Sequence, residues 1–340
     1  MLTWITEPDV WAGMAEEWNA LLDRSLLPMP FLRHEYLWRW WETLGAGEWP
    51  EGRLAVAVYR DHTGRLQAAA PFFLTSTSHG PTMMLIGSHR LTDYMDVLVT
   101  AEAQEVFFRL LGEDLLGHRP VFPQVRRWEW WNLLPESPLR RVTVKWARRY
   151  RLERSESPCE VAPYLALPPS WEAYLHLVGK KQRHEIRRKL RRAHRYPHPV
   201  HWYRVTDFER LDAELDALFD LMQSHPQKAA FFTPARQAWL RAVCHDALRQ
   251  GWLFLAFLTV GDEKAAAFLC FDFHRRLWVY NSGMNARYRQ LSPGWVLLAH
   301  MLQWAIARGY EGVDFMRGAE GYKYRFGARD RELLWVRLER

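Results

Sequence analysis

The chain has 340 residues, 49% of them hydrophobic and 14% aromatic, with 46 Lys and Arg against 39 Asp and Glu. Such a length suits two domains with separate cores, and a formal charge of +7 suits an anionic ligand, whether a nucleotide cofactor, a sugar nucleotide or nucleic acid. No uncharged apolar run reaches the roughly 18 residues a membrane span needs, and Met1–Asp9 has neither the basic start nor the apolar centre of a secretory signal, so the cytoplasm is the expected compartment.

From the N-terminus, apolar residues at helical spacing predict helices over Trp11–Leu22 and His34–Leu44, split by a turn at Pro28 and Pro30. Arg53–Tyr59 and Leu66–Leu74 are predicted strands of a hairpin turning at Asp61–Gly64, with further strands at Met83–Ile86 and Tyr94–Val99. A helix over Ala103–Leu116 stops at Gly117, and a strand (Trp128–Leu133), a helix (Pro138–Arg149) and extended pieces (Tyr150–Ser155, Glu160–Leu167) follow. This order predicts a layered α/β or α+β domain. The tryptophans cluster as Trp38, Trp40, Trp41 and as Trp128, Trp130, Trp131; such rings fill cores or stack on sugars and bases, and core filling is the commoner use. Cys159, Cys244 and Cys270 are odd in number, far apart and at no metal-ligand spacing, so reduced, buried thiols and no metal are expected. Between Ser88 and Asp96, the residues Asp93, Tyr94 and Asp96 stand where a loop becomes a strand. That position suits ligand contacts or, equally, an Asx turn with Tyr94 packed beneath it.

Pro163, Pro168 and Pro169 mark a boundary that divides 1–167 from 168–340. Ser170 then caps a helix with an apolar stripe of Trp171, Tyr174, Leu175, Val178, Ile186, Leu190 and Ala193, bent at Gly179 and ending before Pro197. Its other faces carry Lys180, Lys181, Arg183, Arg187, Arg188, Lys189, Arg191, Arg192 and Arg195 against Glu185 alone. Three readings fit: a solvated face, a clamp for a substrate or cofactor phosphate through residues such as Arg187 and Arg191, or an RNA surface. His194, His198 and His201 lie close together, but Pro197 and Pro199 break regular ligand geometry.

Val200–Val205 is a predicted strand, Asp207–Gln223 a helix capped by Asp207, and Pro234–Gln250 a helix capped by Thr233. In the connection Ser224–Phe232, His225 is a candidate base or a plain loop residue. Strands at Trp252–Val260, Lys264–Phe273 and Leu277–Asn281 form a meander. A loop to Pro293, a helix over Gly294–Arg308 and strands at Val313–Met316 and Leu333–Leu338 come next, the last expected to close the second sheet. The loop ends Arg289-Gln290-Leu291-Ser292-Pro293-Gly294 at the mouth of the helix, where unpaired N–H groups and the positive end of the macrodipole make an anion site.

Arg289-x-x-Ser292-x-Gly294 resembles the Gln/Arg-x-x-Gly-x-Gly/Ala pyrophosphate loop of GNAT acyl-CoA N-acyltransferases, with Ser292 in place of the first glycine. Together with Tyr280-x-Ser282-Gly283, Val313-Asp314-Phe315-Met316-x-Gly318 and Tyr322-Lys323-x-x-Phe326-Gly327, it makes Trp252–Gly327 similar to two-domain GNAT-like proteins. These include N-acyltransferases associated with cellulose or exopolysaccharide biosynthesis and, more distantly, the Fem-type aminoacyltransferases of peptidoglycan synthesis. The resemblance implies tandem GNAT-like domains, each a mixed, mostly antiparallel sheet flanked by helices. The first would be a degenerate copy without cofactor, and the second would bind acetyl-CoA or another acyl-CoA.

The pyrophosphate would lie on Arg289, Gln290, Leu291, Ser292 and Gly294, with the thioester beside Tyr280, although a side chain at 292 narrows backbone approach. Acyl transfer to an amine needs a free amine, a donor for the oxyanion and a proton for the thiolate. Backbone N–H groups of a splayed strand can serve the oxyanion, so no Ser-His-Asp or Cys-His set is needed. Tyr322 or Tyr324 is the implied proton donor. Asp314 and Glu320 are the implied base or amine-orienting groups, and Lys323 matches the Fem-type lysine that meets substrate charge. A Ser/Thr-Asp-Tyr entry recurs in the exopolysaccharide-type proteins, where it faces the interdomain cleft, and this implies acceptor binding by Asp93, Tyr94 and Asp96. The implied acceptor is a small-molecule amine of an amino sugar, a nucleotide sugar or a lipid-linked cell-envelope precursor. Aminoacyl transfer from charged tRNA, and a binding protein without chemistry, are the alternatives.

Overall fold

In the computed structural model, which describes residues 1–87, 90–224 and 226–340, the Ala- and Phe-rich run Leu66–Thr77 is a central strand of the first of two sheets. The chain divides into two units, Met1–Glu160 with Glu332–Arg340, and Val161–Arg331.

The first unit contains β1 (Leu2–Ile5), α1 (Pro8–Ala12), α2 (Ala15–Leu22), α3 (His34–Glu42), β2 (Arg53–Arg60), β3 (Leu66–Thr77), β4 (Gly80–Leu85), β5 (Leu98–Val99), α4 (Gln104–Leu116), β6 (Arg127–Leu133), α5 (Pro138–Tyr150) and β7 (Glu153–Val161). Most side chains of β2 and β3 are buried, in unbroken runs through the middle of each strand, as expected where both faces are covered. Phe107, Leu111 and Leu115 of α4 and Leu139 and Trp146 of α5 join Ala68, Ala70 and Phe72 of β3 in one core. The close approach of the two helices depends on Gly112, where a Cβ would lie 2.5 Å from Trp146 Nε1. Trp40, Trp128 and Trp130 are fully buried, and Trp131 stacks on Trp335, so these rings are packing elements. The strand expected over Tyr94–Val99 is only Leu98–Val99; the residues before it form an ordered loop.

The second unit contains β8 (Tyr164–Ala166), α6 (Trp171–Leu177), α7 (Lys180–His194), β9 (Val200–Arg204), α8 (Leu211–Gln223), α9 (Pro226–Phe231), α10 (Pro234–Arg249), β10 (Leu253–Val260), β11 (Glu263–Phe273), β12 (Arg276–Met284), a 3₁₀ turn (Ala286–Leu291), α11 (Pro293–Ala307), β13 (Gly312–Asp314) and α12 (Gly321–Arg325). Its sheet runs β8-β13-β12-β11-β10-β9, antiparallel except for the β12–β13 pair. Helix α11 is apolar on nearly all sides, with ten buried residues, and is the centre of the core together with Phe254, Phe268 and Leu277. Ser170 and Thr233 cap their helices through the N–H groups of Ala173 and Arg236. Two expectations need correction. Gly179 does not bend a single helix but separates α6 from α7, because Val178 and Gly179 both adopt extended ψ angles near 150°. Asp207 bonds the Glu209 N–H in a turn before α8 and does not cap the helix itself.

The last strand, β14 (Glu332–Glu339), also departs from expectation: it enters the first sheet between β6 and β7, in the order β1-β2-β3-β4-β6-β14-β7, and does not close the second. Leu333, Val336 and Leu338 are buried there, and burial of three aliphatic side chains at about 1.5–3 kcal/mol each decides the partner. Truncation after Arg331 should therefore destabilise the first unit: hydrogen exchange in β6 and β7 is expected to accelerate, while α11 and β10 to β12 keep their protection.

Candidate active site

The site begins where a strand ends. β12 and β13 pair only over Arg276–Trp278 and Gly312–Asp314, and β12 continues to Met284 with β11 on one side and no β13 pairing on the other. Asp314 ends β13: it is fully buried, its Oδ1 accepts the Met316 N–H at 2.9 Å, and its other oxygen pairs with Arg331. Met316 takes a left-handed φ of 60°, turning the chain out of the sheet. On its opposite side β12 carries a bulge, because Leu269 faces Asn281 while Cys270 faces Val279, leaving Tyr280 as the extra residue. The Tyr280 ring lies 5.5 Å from Phe271 and 6.4 Å from Trp239. Past the bulge, the Ser282 N–H is accepted by Asn281 Oδ1 at 2.9 Å, the Ser282 carbonyl accepts from Lys228 Nζ, and the Met284 carbonyl accepts from Ser224 Oγ at 2.9 Å. Gly283 is required there, since a Cβ would lie 2.6–2.8 Å from Leu221 and Met222 of α8, largely from backbone.

The second component is the first turn of α11. Ser292 has a φ of 55°, the left-handed region that explains why glycine is usual at this position. Its N–H donates to the Arg289 carbonyl, its carbonyl accepts from Trp295 and Val296, and Pro293 has no N–H. Gly294 thus supplies the one N–H of 292–294 that no described residue accepts. A cavity of about 400 Å³ opens beside Ser292 and Pro293, lined also by Lys189, Ser224, Lys228, Met284, Arg289 and Trp295 among others, and no carboxylate lines it among the described residues. Lys189 Nζ stands 3.8 Å above the Trp295 ring, and burial lowers its pKa, with Glu185 opposing. Burial pushes Lys228 down to about 8, with Glu320 opposing that and Lys323 adding to it.

The third component follows β13. Lys323, 2% exposed, donates to the carbonyls of Met316, Arg317 and Gly318 at 3.1, 2.8 and 2.9 Å, and lies 2.8 Å from Glu320 Oε2. Burial, then the charge of Glu320 and the Cys270 thiol, raise the Tyr322 phenol so that it stays protonated at neutral pH; its ring meets Phe315 edge-on at 6.0 Å. Tyr324 is exposed.

The sequence residues therefore separate. Tyr280 and Ser282 lie on the strand that runs past β13, Glu320 is close enough to act on Lys228 and on Tyr322, and Arg289, Ser292 and Gly294 stand at the adjoining helix start, whereas Asp314 and Lys323 have polar atoms engaged in building the turn. Gln290 is exposed and Leu291 buried. Arg187 pairs with Glu172 at 3.0 Å, and neither it nor Arg191 lines the cavity; the α7 residue that does is Lys189. Lys189 and Lys228 lie outside every motif. Helical phase alone could have found Lys189, which follows Ile186 on the inward side. His225 and Ser88 lie outside the described residues. In the first unit, Tyr94 and Asp96 are 0% and 1% exposed, so these two are enclosed; Asp93 is half-buried. Burial raises the Asp96 carboxyl to about 7 against the pull of the Ser137 hydroxyl and the Val97 and Leu139 N–H groups. A larger opening of about 790 Å³ between α4 and α5 carries none of the motif residues, and two of its cations, Arg109 and Arg149, already pair with Glu113. No group of three or more His, Cys, Asp or Glu is gathered for a metal, and no helix is long and apolar enough to cross a membrane, among the described residues.

Two tests follow from these placements. Lys323→Met leaves three carbonyls without their donor and should cost roughly 2–4 kcal/mol, read as a lower denaturation midpoint with unchanged slope. Asp96 binds its proton more tightly folded than unfolded, so wild-type stability should fall as pH rises from about 4 to about 7. Asp96→Asn should flatten that dependence and raise the melting temperature at pH 8.

Residues 180–324 match the family model described as an acetyltransferase (GNAT) domain. No curated protein matches the sequence. Among solved structures, the chain is similar to FemX, at 10% identity and a TM-score of 0.65, with 99% of this chain and 96% of that chain covered. It is similar to a conserved protein of unknown function from Bacteroides thetaiotaomicron, at 13% identity and 0.62, with 100% of both chains covered. It is also similar to the C-terminal domain (DUF2156) of a putative lysylphosphatidylglycerol synthetase from Agrobacterium fabrum, at 11% and 0.57, with 97% and 92% covered. The splayed strand, the helix that starts beside it and these likenesses lead to one conclusion: the chain has a two-domain fold of the GNAT type, and the stretch that matches the GNAT acetyltransferase model lies in its second unit.

Proposed function

We propose that the protein is an N-acyltransferase that moves an acyl group, acetyl in the simplest case, from coenzyme A to an amine of an amino sugar or another cell-envelope or polysaccharide precursor. The observation that carries this reading is the stretch of β12 beyond its bulge, paired with β11 on one side and past the end of β13 on the other, beside the start of α11 and a cavity lined by three cations. The phosphates of the donor would lie on the Gly294 N–H, Arg289 and Lys189, where the helix dipole and the charges act together. The acyl carbonyl would then reach the bulge at Tyr280. Attack by the amine forms the N–C bond and breaks the C–S bond. Tyr322, which burial keeps protonated, gives the thiolate its proton, and Glu320 orients the amine and takes its proton. Asp314 and Lys323 act as positioning residues that hold the turn opening the strand. The donors invoked belong to the cytoplasm, which supports that location.

A second reading, aminoacyl transfer from charged tRNA to a peptidoglycan-type or lipid-linked precursor, is favoured by one observation. Lys180, His184, Arg187, Arg191 and Arg195 recur at helical spacing on the exposed side of α7. Such a stripe neutralises successive phosphates.

Thermal unfolding with acetyl-CoA separates the two. Acetyl-CoA at 100 times its dissociation constant should add about 2.7 kcal/mol of stability by mass action. Arg289→Ala should lose most of that shift, and Ser292→Gly should keep it. No shift with acetyl-CoA, together with a salt-steep shift with tRNA that Arg187→Glu and Arg191→Glu abolish, would replace the first reading by the second.

A further inference from the structure

Lys228 belongs to none of the sequence motifs, yet it is the cation that reaches the strand edge itself. It projects from α9, donates to the Ser282 carbonyl and stands 3.5 Å from Ser282 Oγ. Its charged and titratable surroundings are Glu320 and Lys323 at α12, and Lys189 and Arg289 across the cavity. From α8 the cavity receives Leu221, Met222 and Ser224, and from α10 an adjoining cavity receives Gln237, none of them charged. A backbone N–H on this edge could serve an oxyanion. In this chain the Ser282 N–H is already held by Asn281 Oδ1. An ammonium with hydrogens to spare stands at the same place on the edge, against the Ser282 carbonyl.

We propose that Lys228 is a catalytic residue whose ammonium stabilises the oxyanion formed when the acceptor amine adds to the acyl carbonyl on the free edge of β12. The inference rests on the acyl-CoA reading. As the N–C bond forms, the carbonyl π pair moves onto oxygen and is held by a Lys228 N–H. When that pair returns, the C–S bond breaks and the thiolate takes the Tyr322 proton, while Glu320 takes the proton of the amine. Lys228 ends the step unchanged. Because burial holds its pKa at about 8, the ammonium is present at neutral pH and is lost as pH rises through that value.

The test needs no acceptor. S-carboxymethyl-coenzyme A places a carboxylate beside the sulfur, where the oxyanion forms, and free coenzyme A does not. Calorimetric titration of the full chain should give a ratio of carboxymethyl-CoA to CoA affinity that falls roughly ten- to hundredfold in K228M, the size of a hydrogen bond to a charged group, and is kept in K228R. In the wild type the same ratio should drop between pH 7 and pH 9, and in K228M it should not. A ratio in K228M equal to that of the wild type overturns the assignment of Lys228 and leaves the acyl-CoA reading standing. A wild type that binds neither compound overturns the acyl-CoA reading, and this inference with it.

Discussion

The second unit depends on one buried carboxylate. Asp314 caps the Met316 N–H and pairs with Arg331, which ends β13 after three residues while β12 runs on. Leaving a strand edge unpaired inside a domain is costly, because each bare N–H or C=O forfeits a hydrogen bond. Here the cost is met by side chains: Asn281, Lys228 and Ser224 each satisfy one group along the exposed stretch. Such an edge is ready for an extended ligand only to the extent that these side chains give way or take part in the chemistry.

Electrostatics reinforce the same geometry. Lys323 gathers three carbonyls of the turn, so its charge is spent inside the scaffold. Lys189, Lys228 and Arg289 converge on the cavity instead, and no carboxylate faces them there among the described residues. With burial lowering two of these cations, the cavity favours an incoming anion over water. The macrodipole of α11 points the same way, although Ser292 and Pro293 reduce the backbone donors of its first turn to the Gly294 N–H. Side-chain charge thus gathers beside a helix start that offers a single free amide.

The first unit shows the opposite use of polar residues. Asp96 is enclosed and raised towards neutrality by burial, and Tyr94 packs at 6.1 Å from Phe31. The tryptophans likewise fill space, with Trp130 tilted against Trp146 and stacked on Phe72.

Local signals carried much of this in the sequence alone. The meander β10–β12, the apolar helix α11 and the caps at Ser170 and Thr233 follow from period and from side chains that bond their own backbone, which depend only on near neighbours. The same holds for the loop Arg289–Gly294, whose position before a helix is a sequence fact. What tertiary structure decided is everything that required a distant partner. β14 crosses to the first sheet because its alternation fits either sheet and only the place open between β6 and β7 selects one. Lys323 and Asp314 look catalytic in a motif, but their partners Met316, Gly318 and Arg331 are set by how the turn closes. Lys189 and Lys228 look like two more charges among 46, and only the convergence of α7 and α9 on the edge of β12 gives them a shared cavity. A side chain's type is written in the sequence, whereas its electrostatic environment is the sum of what folding brings within a few ångströms of it.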